Sequence, residues 1–193
     1  MTDDKTDHTD DAPPTTWKKG DVLAALETPS GKGGSAVARA VTINRPVGEV
    51  FAYFRDFANL PMFMDNIKRI DILGATRSHW VVKAPAGKTV EWDTVVTEET
   101  EDSLIAWTSE PGADVANSGR VEFHNAGTRG TVVTATIVYD PPAGIVGKVI
   151  AKMFQREPAI QARRDLRRFK QLMETGEIAT AAMNRKQREE EMA

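Results

Sequence analysis

Hydrophobic and polar residues alternate with a period of two through the middle of the chain, from Ile67 to Tyr139. Successive side chains of a strand point to opposite faces, so this pattern predicts strands with one apolar face. The segments are separated by short turn-rich connections, which predicts antiparallel neighbours. Six strands are expected: "IKRIDIL", "SHWVVKA", "TVEWDTVVTE", "SLIAWTS", "GRVEFHN" and "TVVTATIVY".

The stretch "WTSEPGADVANSGRVEF" lies between the fifth and sixth strands of the domain and mixes strand-forming residues with turn residues. "EPG" predicts a turn, and "ANSG" predicts a bulge or bend before the chain returns to the apolar face. Gly119 is expected to allow either a backbone conformation or a close approach that a side chain would forbid. We therefore interpret the polar residues here mainly as turn chemistry.

The pattern before Ile67 predicts one further strand and two short helices. "AVARAVTI" has strand character, and "NRPVGEVFAYFRD" places apolar residues at the spacing of one helix face, with Pro46 suited to the first turn. In "FANLPMFMDN", Pro61 interrupts any regular helix, so a second, irregular helical turn is expected.

The C-terminal part reads as helical. After the turn "DPPAG", residues 146–154 outline a first segment, and a second is predicted from Pro158 to Thr175, with Gly176 as its stop. At 1.5 Å per residue the second helix is about 27 Å long. Its apolar stripe contains Ala159, Ala162, Leu166, Phe169 and Met173, and its opposite side carries Arg163, Arg164, Arg167, Arg168 and Lys170.

These elements predict an α+β fold: a seven-stranded curved antiparallel sheet wrapped around a long C-terminal helix, with two short helices between strands 1 and 2. We expect residues 1–35 to be a flexible arm, 36–176 the ordered domain and 177–193 a charged tail. A short amphipathic turn around Trp17 within the arm is an open alternative.

Composition narrows the function classes. The chain has 193 residues, 40% of them hydrophobic, a formal charge of −3 and no cysteine. Disulfides and thiolate chemistry are excluded, and nucleic acid is not expected as a partner. No apolar run approaches the roughly 18 residues of a membrane span, and the acidic N-terminus is unlike a signal peptide, so we expect a cytoplasmic protein.

The order of elements resembles the helix-grip fold of the START-like superfamily, also called SRPBCC, which includes polyketide cyclase/dehydrase and coenzyme-Q-binding proteins. The resemblance covers residues 36–176, and its more specific marks are "NRPVGEVFAYFRDFANLPMFM", "LIAWTSEPGADVANSGRVEF", "YDPPAG" and "DLRRFKQLMETGEI". It implies a hydrophobic cavity between the sheet and the last helix.

That cavity suggests a set of ligand contacts: aromatic and methionine side chains, plus two polar residues of the turn stretch. They are Met62, Phe63, Trp80, Trp92, Trp107, Asp114, Asn117, Phe123, Tyr139, Met153, Phe154 and Phe169. For each aromatic residue, a purely structural place in the core is the competing interpretation.

Catalytic signals are scarce. His8, His79 and His124 show no metal-ligand spacing, and Glu91 with Asp93 lies on the polar face of a strand, so we predict no catalytic residue, metal or cofactor.

Two functions stay open. The favoured one is binding or carriage of a hydrophobic small molecule such as a lipid, quinone or polyketide-like compound. The alternative is a cyclase or dehydratase acting in the same cavity, for which only Tyr139, Thr94, Asp114 and Asn117 offer candidates. The basic face of the last helix is a possible contact for a membrane surface or a partner, and the oligomeric state stays open.

Overall fold

The structure, a computed structural model, describes residues 35–84, 87–140 and 158–179. Several expectations therefore lie outside the described residues: the arm up to residue 34, the helical segment 146–154 with Met153 and Phe154, and the tail beyond residue 179. The domain boundaries at 35 and 176 stay predictions.

Seven antiparallel strands form one sheet in the order β1-β7-β6-β5-β4-β3-β2. Consecutive strands from β2 to β7 are neighbours, and β1 lies at one edge of the sheet, where it pairs with β7 from Ser35 opposite Tyr139 to Ile43 opposite Thr131. The strands are β1 Ser35–Ile43, β2 Ile67–Ile72, β3 Arg77–Lys83, β4 Thr89–Thr100, β5 Leu104–Ser109, β6 Ala116–Asn125 and β7 Thr131–Asp140. The predicted number of strands and their antiparallel connections are confirmed.

Two helical elements follow β1, as the pattern predicts. Helix α1 spans Val47–Arg55 and buries Val50, Phe51 and Phe54. A 3-10 helix, Phe57–Met62, includes Pro61 and buries Phe57 and Leu60. A second 3-10 helix, Gly127–Arg129, connects β6 to β7. Helix α1 and the 3-10 helix Phe57–Met62 both cover the apolar face of the sheet. The buried residues of each belong to the hydrophobic core.

Helix α2 spans Pro158–Thr175 and ends at Gly176, whose φ of 78° lies in the left-handed region that glycine tolerates. The Gly176 amide donates to the Leu172 carbonyl at 2.8 Å. The expected start and end of this helix are therefore observed.

Among the described residues, no helix is long and apolar enough to cross a membrane.

An aromatic cluster joins α2 to the sheet. Phe169 is fully buried and stacks on Phe63 with ring centroids 4.6 Å apart. It also meets Phe54 edge-on at 5.7 Å, and Phe54 in turn meets Phe123 of β6 at 5.8 Å. Offset and edge-on contacts of this kind add to the free energy of burial. The cluster therefore fixes where α2 lies over the sheet.

The C-terminal end of α2 is held to the end of β1 by polar contacts. Glu174 Oε1 accepts from the Asn44 amide and from Lys170 Nζ, both at 2.6 Å. Arg45 Nε donates to the Met173 carbonyl at 2.8 Å. The helix is thus fixed at its last turn by contacts that are independent of the aromatic cluster.

Gly119 allows a close approach, one of the two roles expected for it, but of the bulge or bend expected for "ANSG", the bulge is wrong. A Cβ atom at Gly119 would lie 2.5 Å from Trp107 Cζ2 and 2.8 Å from the Thr136 carbonyl oxygen. Strand β6 pairs without a register shift from Ala116 to Asn125. With glycine at this position, the Trp107 ring fits against a regular strand, so no bulge is needed. Register shifts occur instead between Val96 and Glu98 and near Ile67.

The expected division into one polar and one apolar face holds for β4 but not throughout the sheet. Val90, Trp92 and Thr94 are buried and alternate with more exposed residues. On the opposite face, however, Thr136 and Val138 of β7 are also buried. Polar alternation in sequence therefore overestimates how much of this second face is open to water.

Candidate functional site

A cavity of about 100 Å³ lies between the sheet and α2. Its floor comes from strands β2 to β7, its cover from α2, and its side from α1, the 3-10 helix Phe57–Met62 and the loop that follows it. Most of the lining is apolar: Phe54, Phe57, Leu60, Phe63, Met64, Ile67, Trp80, Val82, Trp92, Trp107, Val121, Ala135, Ile137, Ala162 and Leu166.

Three tryptophans belong to this lining. Trp80 and Trp92 lie directly opposite each other on β3 and β4. The Trp80 indole donates to Ser78 Oγ at 2.9 Å and meets the Phe57 ring edge-on, with centroids 5.9 Å apart. Trp107 reaches the cavity from β5. The strand register therefore brings together three indoles that are separated along the chain.

Four polar residues interrupt the apolar lining: Asn66, Asn117, Gln161 and Asp165. Asn117 Nδ2 donates to the Val115 carbonyl at 3.0 Å. The Oδ1 atom of Asn66 is buried and has no hydrogen-bond partner within the described part of the chain. An unpaired buried oxygen costs free energy, so a ligand that donates a hydrogen bond there would remove a penalty.

Asp165 has the most unusual environment of the four. The residue is only 4% exposed, and its Oδ1 accepts from Gln161 Nε2 at 2.8 Å. Burial raises the pKa of Asp165 to about 7, and the nearby Asp65 carboxylate adds to the rise, while Gln161, Arg168 and Arg164 oppose it. A carboxyl in this state can bind or release a proton near neutral pH.

Sequence reasoning missed Asp165 and Gln161 because it grouped the residues of α2 into an apolar stripe and a basic side. The two residues are four apart and share a helix face. Asp165 is also four residues before Phe169, which places it about 40° from that buried ring at 100° per residue. An acid beside the apolar stripe was the available signal.

The structure brings some of the predicted ligand contacts together. Phe63, Trp80, Trp92, Trp107 and Asn117 line the cavity. Phe123 and Phe169 lie in the aromatic cluster beside it. For all seven residues, contact with a ligand stays a prediction.

The other predicted ligand contacts either lie away from the cavity or have side chains outside the described part of the structure. Met62 is 60% exposed and is not part of the lining. Asp114 Oδ2 instead accepts from the Glu91 amide at 2.9 Å, so its carboxylate fixes the β5–β6 connection to β4. For Tyr139 the structure describes the backbone, which pairs with Asn117.

The histidine and carboxylates considered for catalysis lie on the face of the sheet opposite the cavity. His79 Nδ1 is 2.7 Å from Asp93 Oδ1, and His79 Nε2 is 3.5 Å from Glu91 Oε2. No group of three or more ligands suited to a metal ion occurs in the described ranges. Thr94 has a buried hydroxyl without a partner among the described residues, but it does not line the cavity.

Solved structures and a curated relative support the fold. The crystal structure of DR_A0006 from Deinococcus radiodurans is 37% identical, covers 74% of this chain and 99% of that chain, and has a TM-score of 0.61. The Zhui aromatase/cyclase from Streptomyces sp. R1128 is 14% identical, covers 76% and 99%, and has a TM-score of 0.58, which supports the fold alone.

The curated relative is an uncharacterized 17.2 kDa protein in the melC2-rnhH intergenic region of Streptomyces lincolnensis. It is 30% identical over 141 residues, which are 72% of this chain and 90% of the relative. Residues 35–174 also match the family described as polyketide cyclase / dehydrase and lipid transport. The START-like resemblance and the helix-grip fold are thereby confirmed, and the chain belongs to the polyketide cyclase / dehydrase and lipid transport family.

Proposed function

We propose that this protein binds or carries an uncharged hydrophobic small molecule, such as a lipid, quinone or polyketide-like compound, in the cavity between the sheet and α2. The observation that carries the proposal is the lining: three tryptophans and several other aromatic and aliphatic side chains surround space that the described side chains leave unfilled. Contact with such a lining removes apolar ligand surface from water, which is the main driving force for binding of this kind. The family description is consistent with this function.

The size of the cavity constrains how a ligand binds. An engineered cavity of about 150 Å³ holds one benzene molecule, whereas this cavity has about 100 Å³. A ligand of benzene size or larger therefore inserts one end between the tryptophans, and the rest extends beyond the cavity. Full enclosure of a larger ligand requires α2 or the neighbouring 3-10 helix to move away from the sheet.

Binding is tested by filling the cavity. Ala162 lines it from α2, so Ala162→Leu adds three carbon atoms to the cavity. Ala52 is an exposed alanine of α1, and Ala52→Leu is the matched control. We expect Ala162→Leu to weaken binding of an apolar probe such as toluene at least tenfold, while Ala52→Leu binds like the wild type. Tryptophan fluorescence and calorimetry measure the affinity.

Native mass spectrometry of protein purified from its own host identifies the natural ligand. An apolar molecule that remains with the wild type and is lost from Ala162→Leu supports the proposal. Equal binding by the wild type and Ala162→Leu, with circular dichroism showing both folded, contradicts it.

One observation favours a second function, a cyclase or dehydratase in the same cavity. Asp165 has a pKa of about 7 inside an apolar site, and an acid or base is most effective when its pKa lies near the working pH. In such an enzyme Asp165 would donate or accept the proton that moves during ring closure or loss of water. Abolished turnover of the co-purifying molecule in Asp165→Asn, with binding retained, would support the enzyme. Unchanged turnover would contradict this role for Asp165.

A further inference from the structure

The polar residues contributed by α2 and the loop before β2 lie close to one another. Asp65 forms an ion pair with Arg168, which is one helical turn after Asp165. Asn66 follows Asp65 directly, and its carbonyl accepts from the Lys83 amide at 2.8 Å. Lys83 Nζ also donates to the Asp65 carbonyl at 2.8 Å. The loop is therefore fixed by β3 on one side and by α2 on the other.

These contacts hold Asn66 and Asp165, which both line the cavity, near the same stretch of α2. We propose that Asn66, Gln161 and Asp165 form a polar subsite that binds a hydroxyl group on an otherwise apolar, uncharged ligand. The inference rests on the proposed binding function and adds to it the chemical class of the ligand group.

A hydroxyl group matches the hydrogen-bonding capacity of this subsite. Asn66 Oδ1 lacks a donor, and Asp165 Oδ1 already accepts from Gln161. In its protonated form, Asp165 has one O–H to donate. A hydroxyl donates one hydrogen bond and accepts others, so it can donate to Asn66 and accept from Asp165. The raised pKa of Asp165 keeps this donor substantially present at neutral pH.

Charged head groups fit the subsite less well. A carboxylate on the ligand would be repelled by an ionised Asp165. The charge of the nearby Asp65 is offset by its ion pair with Arg168, so this repulsion comes mainly from Asp165 and is reduced by Arg164 and Arg168. An ammonium group would need an ionised Asp165, but burial opposes ionisation there, and two desolvated charges recover their cost only with excellent geometry. The subsite therefore selects against both kinds of ion.

Four probes of similar size separate these cases: toluene, p-cresol, benzylamine and benzoate. We expect p-cresol to bind the full-length protein about tenfold more tightly than toluene, which corresponds to about one favourable hydrogen bond. Benzylamine and benzoate should bind more weakly than toluene. Isothermal titration calorimetry at pH 6.5 measures all four, with competition against the tightest probe for weak cases.

Three variants assign any preference for p-cresol to the subsite. Asp165→Leu should lose the preference for p-cresol, measured as the ratio of its p-cresol affinity to its toluene affinity. Asn66→Ala should reduce the ratio of p-cresol affinity to toluene affinity severalfold, and it replaces the first variant if Asp165→Leu fails to fold. Asp71→Leu is the control, because Asp71 is exposed on β2 and does not line the cavity.

The outcomes distinguish this inference from the proposed function. Toluene binding without a preference for p-cresol overturns the hydroxyl subsite and leaves the apolar cavity intact. A preference that survives in folded Asp165→Leu, or tightest binding of benzylamine or benzoate, also overturns the subsite. If the wild type binds neither toluene nor p-cresol, both the hydroxyl subsite and the proposed binding function are overturned.

Discussion

Replacement of Asp165 by asparagine should stabilise the protein at neutral and alkaline pH. Asparagine has nearly the shape of a protonated aspartate but cannot ionise. In the folded protein the pKa of Asp165 is raised from 3.8 to about 7, mainly by burial. Between these values the folded state retains a proton that the unfolded state has released, so the contribution of Asp165 to stability falls as pH rises. Above the folded pKa both states are ionised, and the loss is complete.

The magnitude follows from the separation of the two pKa values. Each pH unit over which only the folded state holds the proton changes the free energy of unfolding by about 1.4 kcal/mol. Between pH 5 and a folded pKa of about 7 the change is therefore about 3 kcal/mol. The free energy of unfolding of Asp165→Asn, relative to that of the wild type, should therefore rise by that amount between pH 5 and pH 8.

Urea unfolding of both proteins at pH 5, 6, 7 and 8, followed by tryptophan fluorescence, measures the difference. Other titrating groups are common to both proteins, so their contributions cancel when the two curves are subtracted. Asp71→Asn, which changes an exposed carboxylate of β2, is the matched control. A curve for Asp165→Asn parallel to that of the wild type would show that Asp165 ionises normally, and the argument from burial would be refuted.

Three further predictions concern stability. Gly119→Ala should lower the free energy of unfolding by about 1 to 3 kcal/mol through overpacking. Gly74→Ala is the control and should change it little, because no atom lies within 4 Å of the added carbon. Equal denaturant midpoints for the two variants would contradict the close approach at Gly119. Phe169→Ala should lower the free energy of unfolding by about 3 to 5 kcal/mol. Leu73→Ala is the control and should have a small effect, because Leu73 is exposed. A small loss for both variants in urea unfolding would contradict the role of the aromatic cluster. For Glu174, burial raises the pKa, but the Asn44 amide and Lys170 outweigh it and the net pKa is lowered. Glu174→Gln should therefore destabilise the protein above the ordinary glutamate pKa, and the deficit should shrink as pH falls through the folded pKa; a deficit independent of pH, measured by thermal unfolding, would argue against the charge.

Much of the fold can be predicted because its elements have strong local patterns. Helix α2 is an example, since Pro158, the spacing of its apolar residues and Gly176 together mark both its start and its end. The six strands from β2 to β7 follow from alternation and short connections. The bulge expected near Gly119 was wrong because a glycine in a strand is compatible with either a bulge or a close neighbour, and sequence does not identify the neighbour.

The candidate site is only partly predictable. Trp80 and Trp92 can be assigned to the apolar face from alternation, but that they face each other depends on the β3–β4 register. Asp165 illustrates the limit more sharply. As a sequence feature it is one acid in a charged helix, and its raised pKa arises only when α2 packs against the sheet and removes the carboxyl from water.

The sequence by itself determined the class of fold, the order of the elements and which side of α2 is apolar, because these depend on periodicity and on residues that begin or end helices and strands. Tertiary structure alone decided the strand register, the unpaired oxygen of Asn66 and the state of Asp165. The physical reason is that burial and hydrogen-bond pairing depend on residues distant in the chain. The same aspartate on the outer side of α2 would remain solvated and keep an ordinary pKa.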